Sequence, residues 1–168
     1  MMNQRGSPCG EAGQTLLEIL LAFSVSILVL SGIIMGITTS LNNAQYTKNQ
    51  SLANSYAQEG MAVVRRLRDN SSWSNFLTQT GGCLTNDLTT FASYDGTNCS
   101  SQKIANTIFG RHVEIVQGDS SHTDCSDGSN SIYGSKVTVT VSWPDSKCPI
   151  GNPYCHNVQL VTCFSQIK

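Results

Sequence analysis

The chain contains 168 residues with nearly balanced charge, ten basic against eleven acidic side chains, and only 12% of its residues are charged. A near-neutral chain lacks the clustered Lys and Arg that release counterions from a phosphate backbone, which argues against nucleic-acid binding by a general basic surface. Wholly disordered chains carry high net charge, so that class is disfavoured as well. Seven cysteines in a chain of this length indicate an oxidising compartment.

The first predicted element is an apolar segment over residues 19–37, which reads ILLAFSVSILVLSGIIMGI without a charge, Pro, Asn or Gln. Its length falls in the window of roughly 17–25 residues that a membrane-spanning helix needs. A buried core helix would show a polar face to water, and this segment has none. A cleavable secretory signal would have a shorter apolar region, of about 7–15 residues, after a basic stretch. The segment therefore predicts a transmembrane helix.

The helical period continues beyond the apolar segment, and no proline occurs between residues 14 and 70. Small and apolar residues recur there at steps of three and four, which predicts one apolar stripe on a polar helix: Ala53, Ala57, Gly60, Val64 and Leu67. The polar run 69–72 is the expected stop. We therefore predict one helix over residues 14–70, about 80 Å long at 1.5 Å per residue. Its last turns carry Arg65, Arg66 and Arg68, a basic cluster that complements the helix dipole.

The junction before the apolar segment carries the most specific signal, Gly13-Gln14-Thr15-Leu16-Leu17-Glu18. It resembles the processing site of type IV prepilins and of type II secretion pseudopilins, in which a short hydrophilic leader ends in Gly and Glu is the fifth mature residue. The resemblance implies that residues 1–13 are a leader, that a prepilin peptidase cuts between Gly13 and Gln14, and that the new N-terminus is methylated. It also implies that Glu18 pairs with the N-terminal amine of a neighbouring subunit during assembly.

A physical argument supports a role for Glu18 independently. A charged side chain at mid-bilayer costs roughly 2.5–3.5 kcal/mol on insertion scales, so a carboxylate at the edge of a membrane segment needs a partner. A position near the start of the helix would also place the carboxylate in the favourable field of the helix dipole. The alternative is that Glu18 is only a helix charge at the water interface.

Residues 71–168 form the predicted head, in which three segments alternate between apolar and polar residues: 108–116, 136–143 and 158–164. Such alternation predicts an antiparallel sheet with one buried face, which should lie on the apolar stripe of the helix. Loops rich in Gly, Ser, Asn and Asp are expected at 81–101, 118–135 and 144–156. The fold class is therefore α+β, and the order of long helix, variable loop and strands resembles the pilin fold.

Cysteine pairing is open at this stage. Cys9 falls in the expected leader, which leaves Cys83, Cys99, Cys125, Cys148, Cys155 and Cys163 in the head. Six cysteines allow fifteen pairings, and sequence alone does not choose among them. Proximity favours Cys83 with Cys99 and Cys148 with Cys155, which would leave Cys125 for Cys163.

Candidate catalytic chemistry is sparse. His112, His122 and His156 are scattered, and no G-x-S-x-G nucleophile motif is present. No C-x-x-C pair suggests zinc, and the acidic residues of the 118–135 loop do not have EF-hand spacing: Asp119, Asp124, Asp127 and Asn130. We therefore expect neither an enzyme nor a bound metal or cofactor.

The predicted function is that of a structural subunit, most similar to minor pilins of the PilV type. The expected partners are other pilin subunits, the prepilin peptidase, the inner-membrane assembly platform and, before assembly, membrane lipid. The head would serve surface contact, adhesion, DNA uptake or motility outside the cell. One alternative is a periplasmic pseudopilin of a type II secretion system. An alternative of another class is a singly anchored extracytoplasmic binding domain or enzyme that never polymerises.

Overall fold

The computed structural model describes residues 11–85, 91–92, 99–117, 125 and 134–165, with side chains from residue 15 onward. Two helices and five strands occur in this part of the chain. The helices are α1 (Glu11–Asn70) and α2 (Trp73–Leu77), and the strands are β1 (Gly81–Leu84), β2 (Phe91–Ala92), β3 (Gly110–Gln117), β4 (Ser135–Trp143) and β5 (His156–Phe164). The protein is thus α+β, with a long N-terminal helix and an antiparallel sheet.

The chain divides into two compact units, Met1–Thr47 and Lys48–Lys168, and α1 contributes residues to both. The first unit, as far as it is described, consists of helix alone. The second unit, which we call the head, contains the C-terminal part of α1 together with α2 and the sheet. The C-terminal part of α1, from Lys48, thus belongs to the same compact unit as residues 71–168.

The sheet has the strand order β2-β1-β3-β4-β5, and every neighbouring pair is antiparallel. The central pairs are long, with Gly110 opposite Ser142 at one end of β3 and Gln117 opposite Ser135 at the other. Val137, Val139, Val141 and Trp143 are all buried on one face of β4, as their period of two predicted. The three predicted strands are present, with bounds that differ from the expected ones by up to two residues.

The core of the head lies between the sheet and the predicted apolar stripe of α1. Ala53, Ala57 and Val64 of α1 are buried with the valines of β4 and with Phe109 and Trp143, whose ring centroids lie 5.8 Å apart. Small side chains let the helix approach the sheet closely. At Gly60 an added Cβ would lie 2.9 Å from Cδ of Arg111 and 3.0 Å from Cγ1 of Val139.

A buried arginine fixes the helix against the sheet. Arg111 of β3 is only 1% exposed, and its Nη1 donates to Oε2 of Glu59 at 2.8 Å and to the carbonyl of Tyr56 at 3.2 Å. A buried guanidinium needs charged or carbonyl partners, so these two bonds favour one position of α1 along β3. Residue 111 lies within the predicted strand 108–116, but nothing in the alternating pattern predicts an ion pair at this position.

The prediction that residues 81–101 form only a loop was wrong, because β1 and β2 lie within that range. The sequence does not predict β1 because it begins with Gly81 and Gly82, and glycine has a low strand propensity. Gly81 has a φ of +84°, and a Cβ there would collide with the carbonyl of Val113 on β3. Pairing with β3, a tertiary contact, therefore creates a strand where local preference predicted none. The short helix α2 was also missed, although Ser72 accepts from the Asn75 N–H as its N-cap.

Candidate functional site

The surface of α1 in the first unit is the most unusual feature of the described chain. Every side chain from Thr15 to Lys48 is exposed, although most of the large ones are apolar. The large hydrophobic side chains from Leu16 to Leu41 are each more than half exposed, and Leu28 reaches 73%. Soluble monomers rarely expose apolar patches beyond a few hundred Å², and larger ones mark membrane or protein contacts. This helix is long and apolar enough to cross a membrane.

Five of the six hydroxyl groups within this apolar surface donate to carbonyls of the helix itself. Ser26 and Ser31 donate to the carbonyls four residues earlier, Ala22 and Ile27, at 2.8 Å each. Ser24 and the threonines at 38 and 39 make the same kind of local bond. These hydroxyls therefore need no outside hydrogen-bond partner, which lowers the cost of placing them in lipid or between apolar helices.

Glu18 is exposed on the same helix and is flanked by exposed leucines and isoleucine. In the chain as described, α1 begins at Glu11, so Glu18 lies seven residues into the helix. The field of a helix terminus falls off within the first turn, so the dipole argument for Glu18 does not apply to the uncleaved chain. It would apply only after removal of the residues up to Gly13. Gly13 and Gln14, the two residues of the expected cleavage site, lie in the helical backbone of α1.

Three disulfides stabilise the head. They join Cys83 to Cys99, Cys148 to Cys155 and Cys125 to Cys163, which are the two pairs that proximity in sequence favours and the pair that these two leave. The first is fully buried and links β1 to the turn before β3. The second connects Cys125 to the end of β5, and the third closes the loop between β4 and β5. In the chain-entropy model such crosslinks stabilise mainly by restricting the unfolded chain.

The loop between β4 and β5 also brings a histidine and a carboxylate close to a disulfide. Nε2 of His156 lies 3.5 Å from Oδ2 of Asp145, and the His156 ring stacks on Trp143 with centroids 5.6 Å apart. The Cys148 sulfur accepts from the N–H groups of Asp145 and Cys155. Desolvation raises the pKa of the Asp145 carboxyl, but hydrogen bonds from the side chain and backbone of Ser146 and the electrostatic attraction of His156 lower it more, so this pKa lies below its usual value.

These groups do not make a metal centre in the oxidised protein. Cys148, Cys155 and His156 have potential ligand atoms within 4.8 Å of one another, but the two sulfurs are bonded together and offer no thiolate. His112 is buried on β3, whereas His156 is on β5. Other residues considered from the sequence lie outside the described residues: Cys9, Asp119, His122, Asp124, Asp127 and Asn130.

The basic cluster at the end of α1 has two parts. Arg65 and Arg66 are exposed, as expected for a solvated helix end. Arg68 is half-buried, donates to Oδ1 of Asp69 at 2.7 Å, and lies over the Phe164 ring at 4.9 Å. The Arg68 guanidinium is therefore occupied by an ion pair and a cation–π contact. The three arginines do not form one exposed basic patch.

Neither a model of a known protein family, nor a curated protein, nor a solved structure matches this chain. The case for a function therefore depends on the residues and geometry described above.

Proposed function

We propose that the protein is a structural subunit of a type IV pilus-like filament, a minor pilin in type, whose N-terminal helix is first held in the membrane and then packed among the same helices of other subunits. The observation that carries this proposal is the exposed apolar surface from Leu16 to Leu41, whose first residues belong to the Gly13 to Glu18 motif. The head would then be outside the cell, where it serves surface contact.

The exposed surface suits both proposed locations of the helix, first the membrane and then the filament. In lipid, the large aliphatic side chains would meet acyl chains, and five of the six serine and threonine hydroxyls are bonded to their own helix. In a filament, the same side chains meet neighbouring helices, which removes them from water when lipid is left behind. A helix whose apolar residues surround it on all sides has no single preferred face, which fits contact with several neighbours at once.

Glu18 supplies specificity in this proposal. A carboxylate among apolar side chains is costly until a cation neutralises it. After cleavage between Gly13 and Gln14, each subunit has a new terminal amine four residues before Glu18, and the amine of a neighbouring subunit is the proposed partner. The disulfide-bonded head is consistent with export, because disulfides persist in oxidising compartments.

The test replaces Glu18 with Ala in the full chain in its native cell and follows two quantities, the membrane-inserted amount and the amount in sheared filaments. We expect unchanged insertion and at least about a tenfold loss from filaments, since an unpaired amine in an apolar environment costs more than 1.4 kcal/mol. Glu114→Ala is the matched control, because Glu114 is an exposed carboxylate of the head. Equal incorporation of all three chains would contradict the proposal.

The same preparation separates the alternatives. Filaments that remain in the periplasm and depend on a secretion system would identify a pseudopilus. A processed or unprocessed chain that stays monomeric in the membrane under all conditions would identify a singly anchored binding domain or enzyme.

A further inference from the structure

Two features of the head that the proposed function does not use are a protruding apolar tip and an apolar cleft. The tip is Ile150, which is fully exposed at 106%, whereas the other exposed large hydrophobic residues described in the head reach at most 50%. The cleft has a volume of about 380 Å³ and is lined by Leu67, Phe76, Phe91 and Ile115 with the polar residues Ser71, Asn75 and Gln79.

The tip is held in a rigid loop. The Cys148–Cys155 disulfide closes the loop, and inside it the Asn152 N–H donates to the Pro149 carbonyl at 2.9 Å. Two further N–H groups bond to the Cys148 sulfur, which fixes the base of the loop. Pro149 precedes Ile150 and Pro153 follows, so the backbone has few alternative conformations. A preorganised loop loses little entropy on binding, which suits an exposed aliphatic side chain that docks into a partner.

The tip and the cleft lie at opposite ends of the same sheet. The loop of Ile150 connects Trp143 of β4 to His156 of β5, which are paired with each other. The cleft lies at the other end, where Ile115 is opposite Val137 and where the Phe76 ring meets Phe164. Six residues of β4 separate these ends, about 20 Å at 3.4 Å per residue. Ile150 therefore does not reach the cleft of its own head.

We propose that Ile150 of one subunit inserts into the cleft of the next copy of this chain, as a head-to-tail contact between heads. This inference rests on the proposed function: a contact between two different surfaces of one molecule generates rings or open helical assemblies rather than two-fold dimers, and a filament is the open case. The cleft is suited to this occupant because all of its polar lining residues are uncharged. Ser71, Asn75 and Gln79 can hydrogen-bond to the backbone of the incoming loop while the apolar wall covers Ile150.

The experiment is site-specific photocrosslinking in filaments formed by the full chain. Ile150 is replaced by the photoreactive amino acid p-benzoylphenylalanine, filaments are irradiated, and the crosslinked peptides are mapped by mass spectrometry. We expect crosslinks between subunits to peptides that contain Leu67, Phe76 or Ile115. Crosslinks only elsewhere, or none between subunits, would overturn this inference and leave the filament proposal standing. Failure of the unmodified chain to form filaments at all would overturn both.

A second experiment introduces charged residues at the proposed contact and measures the stability of the filaments. Ile150→Asp should lower the resistance of filaments to shear or mild detergent by about tenfold or more, because an apolar anchor is replaced by a charge in an uncharged cleft. Combining it with Gln79→Lys should recover part of that loss, since the new cation lies in the cleft that receives the new anion. Val161→Asp, at a half-exposed site on β5, is the matched control and should have no such effect. Equal effects of the two Asp substitutions, or no recovery by Gln79→Lys, would contradict the docking contact.

Discussion

The two units of the chain use the same helix in opposite ways. Between Leu16 and Leu41 the helix is rich in large aliphatic side chains, and all of them are exposed. Between Ala53 and Val64 it alternates polar with smaller apolar residues, and most of its apolar side chains, such as Ala53, Ala57 and Val64, are buried under the sheet. Hydrophobic content alone therefore does not show where a core lies. The first region is exposed along its whole described length, whereas the second is packed on the sheet of the same chain.

Disrupting the apolar character of the first region should have the largest effect. The double substitution Ile27→Lys with Leu28→Lys places two charges near the middle of the apolar segment. Each charge costs roughly 2.5–3.5 kcal/mol, so the free energy that favours membrane insertion should fall by about 5–7 kcal/mol. The chain should then become extractable with alkaline carbonate.

The matched control places two lysines at exposed positions of the head part of the same helix, Ser55→Lys with Gln58→Lys. This control should stay in the membrane fraction. If the two double variants fractionate alike, the first region does not lie in the membrane.

Opening the disulfides should affect only the head, in an order set by loop length. The pairs close separations of 38, 16 and 7 residues, for Cys125–Cys163, Cys83–Cys99 and Cys148–Cys155. The chain-entropy model gives losses of about 4, 3 and 2 kcal/mol in that order. The free energy of unfolding of the head is compared among the three paired Cys→Ala variants by urea denaturation. A larger loss for the shortest loop than for the longest would show that the disulfides act through native contacts instead.

A glycine comparison between the two regions tests the smallest effect. Gly60→Val should destabilise the head by about 1–3 kcal/mol, because the new side chain would overlap with Arg111 and Val139. Gly36→Val should leave the melting of the head unchanged, since no atom lies within 4 Å of a Cβ at Gly36. Thermal melting followed by the tryptophan bands of near-ultraviolet circular dichroism reads the head alone, because both tryptophans, Trp73 and Trp143, lie in it. Equal melting temperatures for the two variants would mean that α1 is not packed on the sheet at Gly60.

The sequence predicted the elements that have a strong period of their own. The apolar segment 19–37 and the alternating valines of β4 each carry their signal locally, and both are present in the structure. The apolar stripe from Ala53 to Val64 predicted which face of the helix is buried, because helical neighbours at steps of three and four share a face.

Features created by tertiary contact were not predictable in this way. β1 begins with two glycines and exists because it pairs with β3. Arg111 is buried because Glu59 and the Tyr56 carbonyl, more than 50 residues away in sequence, accept from it. The exposure of Ile150 and the cleft around Phe76 also depend on which segments meet in the folded head.

The central claim is that the exposed helix belongs to a processed filament subunit, and the most direct test is the N-terminus of the native protein. Mass spectrometry of the chain isolated from its own cells should find a polypeptide that starts at Gln14, with one added methyl group, and retains the whole apolar segment 19–37. A chain that starts after that segment, or one that keeps residues 1–13 in assembled material, would contradict the account.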